Sequence, residues 1–181
     1  MKFTNYFLLS MPHMDDLIFG RSIIFICEHD NKGAMGLIIN KPFQSNKVNS
    51  ILKKVGLDIL QPNPNIYFGG PVGINNGFFL HTSKYSIDGT FQISDKLSLT
   101  SNNLMINDIN QGKGPKKYRF SLGYTGWKKD QLDKEVENGD WLVFPSSSKL
   151  IFDIPDEKKW STALAELGID IMNITGKTGI A

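Results

Sequence analysis

Residues 23–42, Ile-Ile-Phe-Ile-Cys-Glu-His-Asp-Asn-Lys-Gly-Ala-Met-Gly-Leu-Ile-Ile-Asn-Lys-Pro, constrain the fold more than any other stretch of the chain. Ile23–His29 is rich in β-branched and aromatic residues and reads as a strand. Asp30-Asn31-Lys32-Gly33 is hairpin-turn chemistry, with Gly33 free to take a positive φ. Residues 36–40 return as a second strand, and Pro42 stops it. So continuous an apolar run predicts strands covered on both faces.

The rest of the first half reads in the same way. Residues 6–11 form a strand closed by Pro12. Ser45 or Asn46 can cap a helix whose stripe is Val48, Ile51, Leu52 and Val55, ended by Gly56. After the Pro/Asn-rich linker 61–65, strands are expected at 66–68, from Gly77 to His81 and at 91–93, with a sharp turn at Gly69-Gly70-Pro71.

In the second half, Thr100 or Ser101 can cap a helix carrying Leu104, Met105 and Ile109. Tyr118, Phe120 and Leu122 alternate with Arg119 and Ser121, as in a half-buried strand. Residues 123–126 read as a turn and 127–138 as a charged helix, with Gly139 past its end. A strand at 141–144 follows, then a helix from Pro155 with Trp160, Ala163, Leu164 and Leu167 as its buried stripe. The fold class is therefore α+β: a strongly bent, largely antiparallel sheet of about seven or eight strands with about four flanking helices. Residues 1–170 are expected to form a single domain, with 171–181 a loose tail.

A chain of 181 residues can bury a sizeable core, and 40% hydrophobic with 21% charged residues is ordinary globular composition. The net charge of +2 does not by itself imply a polyanionic partner. Residues 113–119, continued by Lys128 and Lys129, read as a solvated lysine-rich surface rather than a nucleic-acid footprint. No helix-turn-helix spacing accompanies them, so direct DNA binding is not expected. One cysteine excludes an internal disulfide, and no stretch has membrane-spanning length. The expected location is the cytoplasm, with no membrane contact.

Chemistry has few places to sit. In a strand, Cys27 and His29 would share a face with Cα atoms roughly 6.5–7 Å apart, and the imidazole could favour the thiolate. Glu28 would face the other way. The competing reading makes Cys27 a small buried hydrophobe, and buried unreactive cysteines are the commoner kind. His13, His29 and His81 have no metal-ligand spacing, so no metal is expected. The glycines at 69, 70 and 73 lack dinucleotide-binding order, and Gly112-Lys113-Gly114 is not a phosphate loop, so no cofactor is expected. Turns rich in main-chain amides can still bind small anions. Candidate ligand-binding residues are Asn40, Gly69, Gly70, Pro71, His81 and Trp127. A ligand-binding role predicts a pocket bordered by Cys27, His29, Asn40 and the 69–71 turn.

Several ordered blocks read together: residues 9–16, 22–29, 33–42, 69–72, 77–81, 112–115, 122–127, 131–135, Trp141-Leu142, Phe152-Asp153, Trp160 and 167–170. They resemble the AlgH/YqgE family of bacterial proteins over about residues 4 to 170. The resemblance implies a compact α+β protein whose bent sheet forms a pseudo-barrel. One name in the family comes from a proposed role as a transcriptional regulator, and the family offers no catalytic set to transfer. The family pattern usually has proline after the aspartate matching Asp16, where this chain has Leu17. The functional expectation is a non-enzymatic regulatory protein that binds a small ligand or a protein partner. The alternative is a thiol-dependent enzyme or redox sensor using Cys27 with His29.

Overall fold

The computed structural model describes residues 2–14, 16–54 and 65–169. In chain order the elements are β1 (Tyr6–Ser10), β2 (Ile23–His29), β3 (Gly33–Ile38), α1 (Ser45–Lys54), β4 (Ile66–Phe68), β5 (Val72–Thr82), β6 (Thr90–Gln92), β7 (Leu97–Thr100), α2 (Met105–Asn110), β8 (Tyr118–Lys128), α3 (Gln131–Glu137), β9 (Trp141–Pro145), α4 (Ser148–Phe152) and α5 (Asp156–Glu166). The strands form one strongly curled sheet in the order β6-β7-β5-β8-β3-β2-β1-β9, with β4 beside β8. Every neighbour is antiparallel except β4, which runs parallel to β8. The class is α+β, with a half-barrel in place of a flat sheet.

Strand β8 makes the curl. Its first half pairs with β5 and β4, and its last residues cross to pair with β3. Residues 123–126, expected as a turn, lie inside this strand. Gly123, at φ +71°, bends the strand without ending it. A Cβ there would stand 2.3 Å from the Gly70 carbonyl oxygen, so only glycine allows the two segments to meet. Trp127 is accordingly a strand residue opposite Ala34, and the helix expected from 127 starts only at Gln131.

Alternation along the strands sorts the core into three clusters. Phe7, Leu9, Ile23, Phe25, Leu37, Leu80, Leu97 and Leu99 fill the hollow of the curl with Ile151, Trp160, Ala163 and Leu164 from α4 and α5. Phe7 meets Phe25 edge to face at 5.8 Å, and burying one such ring stabilises by about 1.5–3 kcal/mol. Leu8, Ile24, Ile26 and Ile38 point to the other face and meet Trp127, Leu132 and Trp141. Val48 and Leu52 of α1 join Met105 and Ile106 of α2 against Ile66, Phe79 and Phe120. Strands β1 and β2 are covered on both faces, as so apolar a run requires.

Other expectations shift. The returning strand begins at Gly33, not Gly36, because Asp30 Oδ1 accepts from the amides of Lys32 (2.7 Å) and Gly33 (3.3 Å) and tightens the turn. Thr100 caps no helix. It lies buried in β7, a strand the sequence did not reveal, while Asn102 Oδ1 takes the Leu104 amide (2.9 Å) just ahead of α2. Helix α4 was also unforeseen, and brings the helices to five among the described residues. The backbone of Ser45 and Asn46, the expected α1 caps, lies inside α1, but their side chains fall outside what is described, as do Val55, Gly56, residues 61–64 and the tail 171–181. Leu17, where the family pattern has proline, is fully exposed. Asp16 Oδ1 holds that loop by accepting from the amides of Ile18 and Phe19.

Candidate functional site: a cleft over buried cations

Arg119 was grouped with a solvated lysine run, yet its side chain is 8% exposed. Its strand position places it opposite Leu80, on the face lining the hollow of the curl. The guanidinium donates from Nη1 to the Ile39 carbonyl (2.8 Å), from Nε to the Ile151 carbonyl, and from Nη2 to Asp156 Oδ1 (2.6 Å). Its central carbon sits 3.9 Å from the Tyr67 ring centroid, a cation–π contact. The Tyr67 hydroxyl donates to Asp156 Oδ2 (2.9 Å).

Lys159, one turn along α5, is fully buried, with its ammonium 3.2 Å from Asp156 Oδ1 and donating to the Ile154 carbonyl. Two buried cations thus share one carboxylate. Burial holds both below their ordinary pKa ranges, and for Lys159 the neighbouring Arg119 charge adds to the effect. Asp156 and Glu157 also occupy the first turn of α5, where the helix dipole favours negative charge.

Above this network lies a cleft of about 430 Å³, lined by Pro12, Gly20, Arg21, Asn40, Lys41, Asp156, Glu157, Trp160 and Ser161. Asn40 does two things at its wall. Its Oδ1 accepts from the Ile23 amide (2.9 Å) and its Nδ2 donates to the Arg21 carbonyl (2.8 Å). That bridge holds Arg21 at φ +53°, a left-handed conformation that costs free energy in a non-glycine residue. The Arg21 guanidinium reaches over the Trp160 ring at 5.8 Å, and the Trp160 indole donates to the Ser10 carbonyl (3.1 Å). Lys41 donates to the Ile18 carbonyl, and its partial burial lowers its pKa. Arg21 and Lys41 share the lining with Asp156 and Glu157, over a buried network in which Arg119 and Lys159 share the one Asp156 carboxylate.

The other candidate residues lie elsewhere. Ile26 pairs with Gly36 and Glu28 with Met35, so Cys27 is an extra residue in β2, a β-bulge. The bulge resets the alternation on which the shared Cys27–His29 face depended. Cys27 packs with Phe25 in the hollow, fully buried, and its thiol sits 3.8 Å from the Phe25 carbonyl oxygen. Burial, with the Glu28 charge second, pushes its pKa far up. His29 stacks on Phe3, of the opposite cluster, at 5.3 Å. The Phe3 amide donates to its Nδ1 (3.1 Å), which leaves the proton on Nε2, 3.4 Å from Asp133 Oδ2 of α3. The pocket expected around Cys27, His29, Asn40 and the 69–71 turn does not form, because these residues belong to different surroundings.

His81 is fully buried and donates from Nδ1 to the Thr82 carbonyl (2.9 Å). Its Nε2 then accepts from the Thr100 hydroxyl (2.8 Å), itself bonded to Thr90 (2.8 Å). Burial lowers its pKa, which agrees with a neutral ring. Gly69 links the sheet halves: its amide donates to the Leu122 carbonyl and its carbonyl accepts from the Ile38 amide. Gly70 packs against Tyr124 and Thr125. Pro71 and Trp127 line a separate cleft of about 490 Å³. There the indoles of Trp127 (2.8 Å) and Trp141 (3.0 Å) both donate to Glu135 Oε2, and Gln131 donates to Oε1 (2.9 Å). Sequence reasoning missed Arg119, Asp156, Lys159 and Tyr67. The one available signal was an arginine at an alternating strand position with acids downstream at 153 and 156.

The fold and site define a curled α+β half-barrel with a polar cleft at the mouth of its hollow. The chain belongs to the AlgH-like family, whose model matches residues 7–172. It is 40% identical to a UPF0301 protein of Shewanella baltica, over 98% of this chain and 97% of that one. A UPF0301 protein of Shewanella denitrificans is 38% identical over 97% of this chain and 96% of its own. The solution structure of the AlgH protein from Pseudomonas aeruginosa is similar throughout, with TM-score 0.79 and 35% identity, covering 100% of this chain and 97% of that one. A crystal structure of a protein from Corynebacterium diphtheriae shares the fold, with TM-score 0.70 at 22% identity over 90% of this chain and 85% of that one. Among the described residues no helix is long and apolar enough to cross a membrane.

Proposed function

We propose that this chain is a non-enzymatic regulatory protein of the cytoplasm, which binds a small anionic ligand, or the anionic group of a protein partner, in the cleft bounded by Arg21, Asn40, Lys41 and Trp160. The observation that carries this reading is the charge imbalance below the cleft, where Arg119 and Lys159 share Asp156. An anion at the rim relieves that imbalance and pairs with Arg21 and Lys41. The left-handed backbone of Arg21, tied to Asn40, fixes where its side chain leaves the chain at the cleft wall. A regulatory role, transcription included, is what resemblance to the family implies. The thiol reading loses its support because Cys27 is buried and His29 faces away from it.

The test is a thermal melt in sulfate or phosphate against the Arg21→Gln/Lys41→Gln double variant. Free anion at about a hundred times its Kd adds about 2.7 kcal/mol to a protein with one site. The wild type should gain this stability and the variant should not. An equal gain in both would reduce the effect to general salting-out and remove the site.

A further inference from the structure

Next to the Arg119 network, in a cleft that shares no lining residue with the one above it, three chain segments bring together lysines that the sequence keeps apart. The Thr82 amide donates to the Lys117 carbonyl (3.1 Å) and the Ser83 amide to the Lys96 carbonyl (3.1 Å). These bonds fix the end of β5, the approach to β7 and the approach to β8 side by side. Between them opens a cleft of about 570 Å³ whose lining includes Lys84, Lys96, Lys113, Lys116 and Lys117. A second cleft of about 590 Å³ shares Asp95, Lys96 and Ser148 with the first and adds Lys149 and the serines at 94, 146 and 147. The two form one groove.

Six lysines face a single aspartate, Asp95, in this groove. The chain as a whole carries only +2, so the rest of the molecule is net acidic and the positive charge is concentrated here. Lys117 pairs with Asp153 at 2.5 Å, and Lys113 donates to Gln111 (2.8 Å). Lys84, Lys96, Lys116 and Lys149 are exposed and have no ion-pair partner among the described residues. The groove contains no arginine, so it lacks the planar fork that grips one carboxylate or phosphate in two places. It offers instead several separate point charges, which suit several phosphates in a row. Ser94, Ser147 and Ser148 are also in the lining, while the Ser83 and Ser146 hydroxyls donate to the Asp95 carbonyl and to Asn5. Aromatic surface is sparse: Tyr85 is the one ring in the lining, its edge or face turned to His81 and its hydroxyl tied to Asp108. That leaves no series of platforms on which successive bases of a nucleic-acid strand would stack.

We infer that this lysine-serine groove binds a run of linked phosphates, such as a nucleoside triphosphate or inorganic tripolyphosphate carries. The site is separate from the cleft over Arg119 and goes beyond the function proposed for it.

The test is calorimetric titration of the full chain with tripolyphosphate, with ATP and with orthophosphate, at about 50 mM and about 200 mM salt. Tripolyphosphate and ATP should bind saturably, orthophosphate far more weakly, and added salt should weaken all binding. Lys84 and Lys116 are exposed, so a Lys84→Gln/Lys116→Gln double variant should fold with unchanged far-UV dichroism and bind tripolyphosphate more than about tenfold less tightly. Equal affinity for ATP and tripolyphosphate supports a site for the phosphate run alone, and tighter ATP binding supports a nucleotide as its source. Lack of saturable binding at low salt would overturn the inference, as would binding that the lysine variant leaves intact. Loss of binding in the Arg21→Gln/Lys41→Gln variant would move the ligand to the other cleft and overturn it too. So would tight binding of a single-stranded oligonucleotide where tripolyphosphate fails.

Discussion

Replacing Asp156 with asparagine keeps the shape of the side chain and removes the carboxylate that Arg119 and Lys159 share. The Tyr67 hydroxyl keeps an acceptor in the amide oxygen, and Arg119 keeps its bonds to the Ile39 and Ile151 carbonyls. What is lost is the compensation of two buried charges, with side chains 8% and 0% exposed. Breaking a buried pair from one side costs about 3–5 kcal/mol, a large share of the roughly 5–15 kcal/mol that holds a domain together. In a chain of this size the melting temperature should fall by about 6–20 °C. Asp156 is itself 15% exposed, which places the expectation toward the lower end. The complementary change is Lys159→Met. It leaves Arg119 and Asp156 as a balanced pair and removes one donor to the Ile154 carbonyl, so it should cost only about 1 kcal/mol. Urea denaturation of both variants measures the asymmetry. If Asp156→Asn costs under about 1 kcal/mol, or Lys159→Met costs as much as Asp156→Asn, the charge-imbalance argument is wrong.

Other expectations follow from the same geometry. Cys27 in the native protein should resist thiol reagents and label only at the rate of global unfolding; rapid labelling would contradict its packing against Phe25. Gly123→Ala forces a Cβ to within 2.3 Å of the Gly70 carbonyl oxygen at φ +71°, and should cost about 2–4 kcal/mol in chemical denaturation. A cost below about 0.5 kcal/mol would mean that β8 does not bend there as described. His81 has a folded pKa below its unfolded value. Its contribution is therefore intact above the unfolded pKa of about 6.5 and is lost as pH falls toward the folded pKa, at up to about 1.4 kcal/mol per pH unit. Substituting His81 with glutamine should flatten that part of the stability-against-pH curve, and an unchanged slope would relieve His81 of the role.

The elements that can be read directly from sequence are those whose signal is local. Strand β2 spans Ile23–His29 as its β-branched and aromatic residues indicate, and the turn after it follows from Asp30 and Gly33. What stayed hidden depends on partners. Residues 123–126 look like a turn because glycine and threonine favour one, but pairing with β5 on one side and β3 on the other keeps them extended. Arg119 alternates with Phe120 and so seemed to face water, whereas the curl and the two last helices close over that face as well. The bulge at Cys27 is a property of the β2–β3 register, and no spacing rule within β2 alone reveals it. Asn40 was visible as a candidate, but the network below its cleft joins β4, β8 and α5, some ninety residues apart along the chain at its widest separation, that between Tyr67 and Asp156.

The central claim is that the cleft beside Arg21 and Trp160 takes an anion because of the cations buried under it. A two-dimensional amide NMR titration of the full chain with sulfate tests it most directly. The account predicts saturable shifts concentrated on the Trp160 indole N–H and on the amides of Arg21, Asn40 and Lys41, and their disappearance in the Arg21→Gln/Lys41→Gln variant. Shifts that stay linear in sulfate, or that leave these four signals unmoved while others respond, would contradict it.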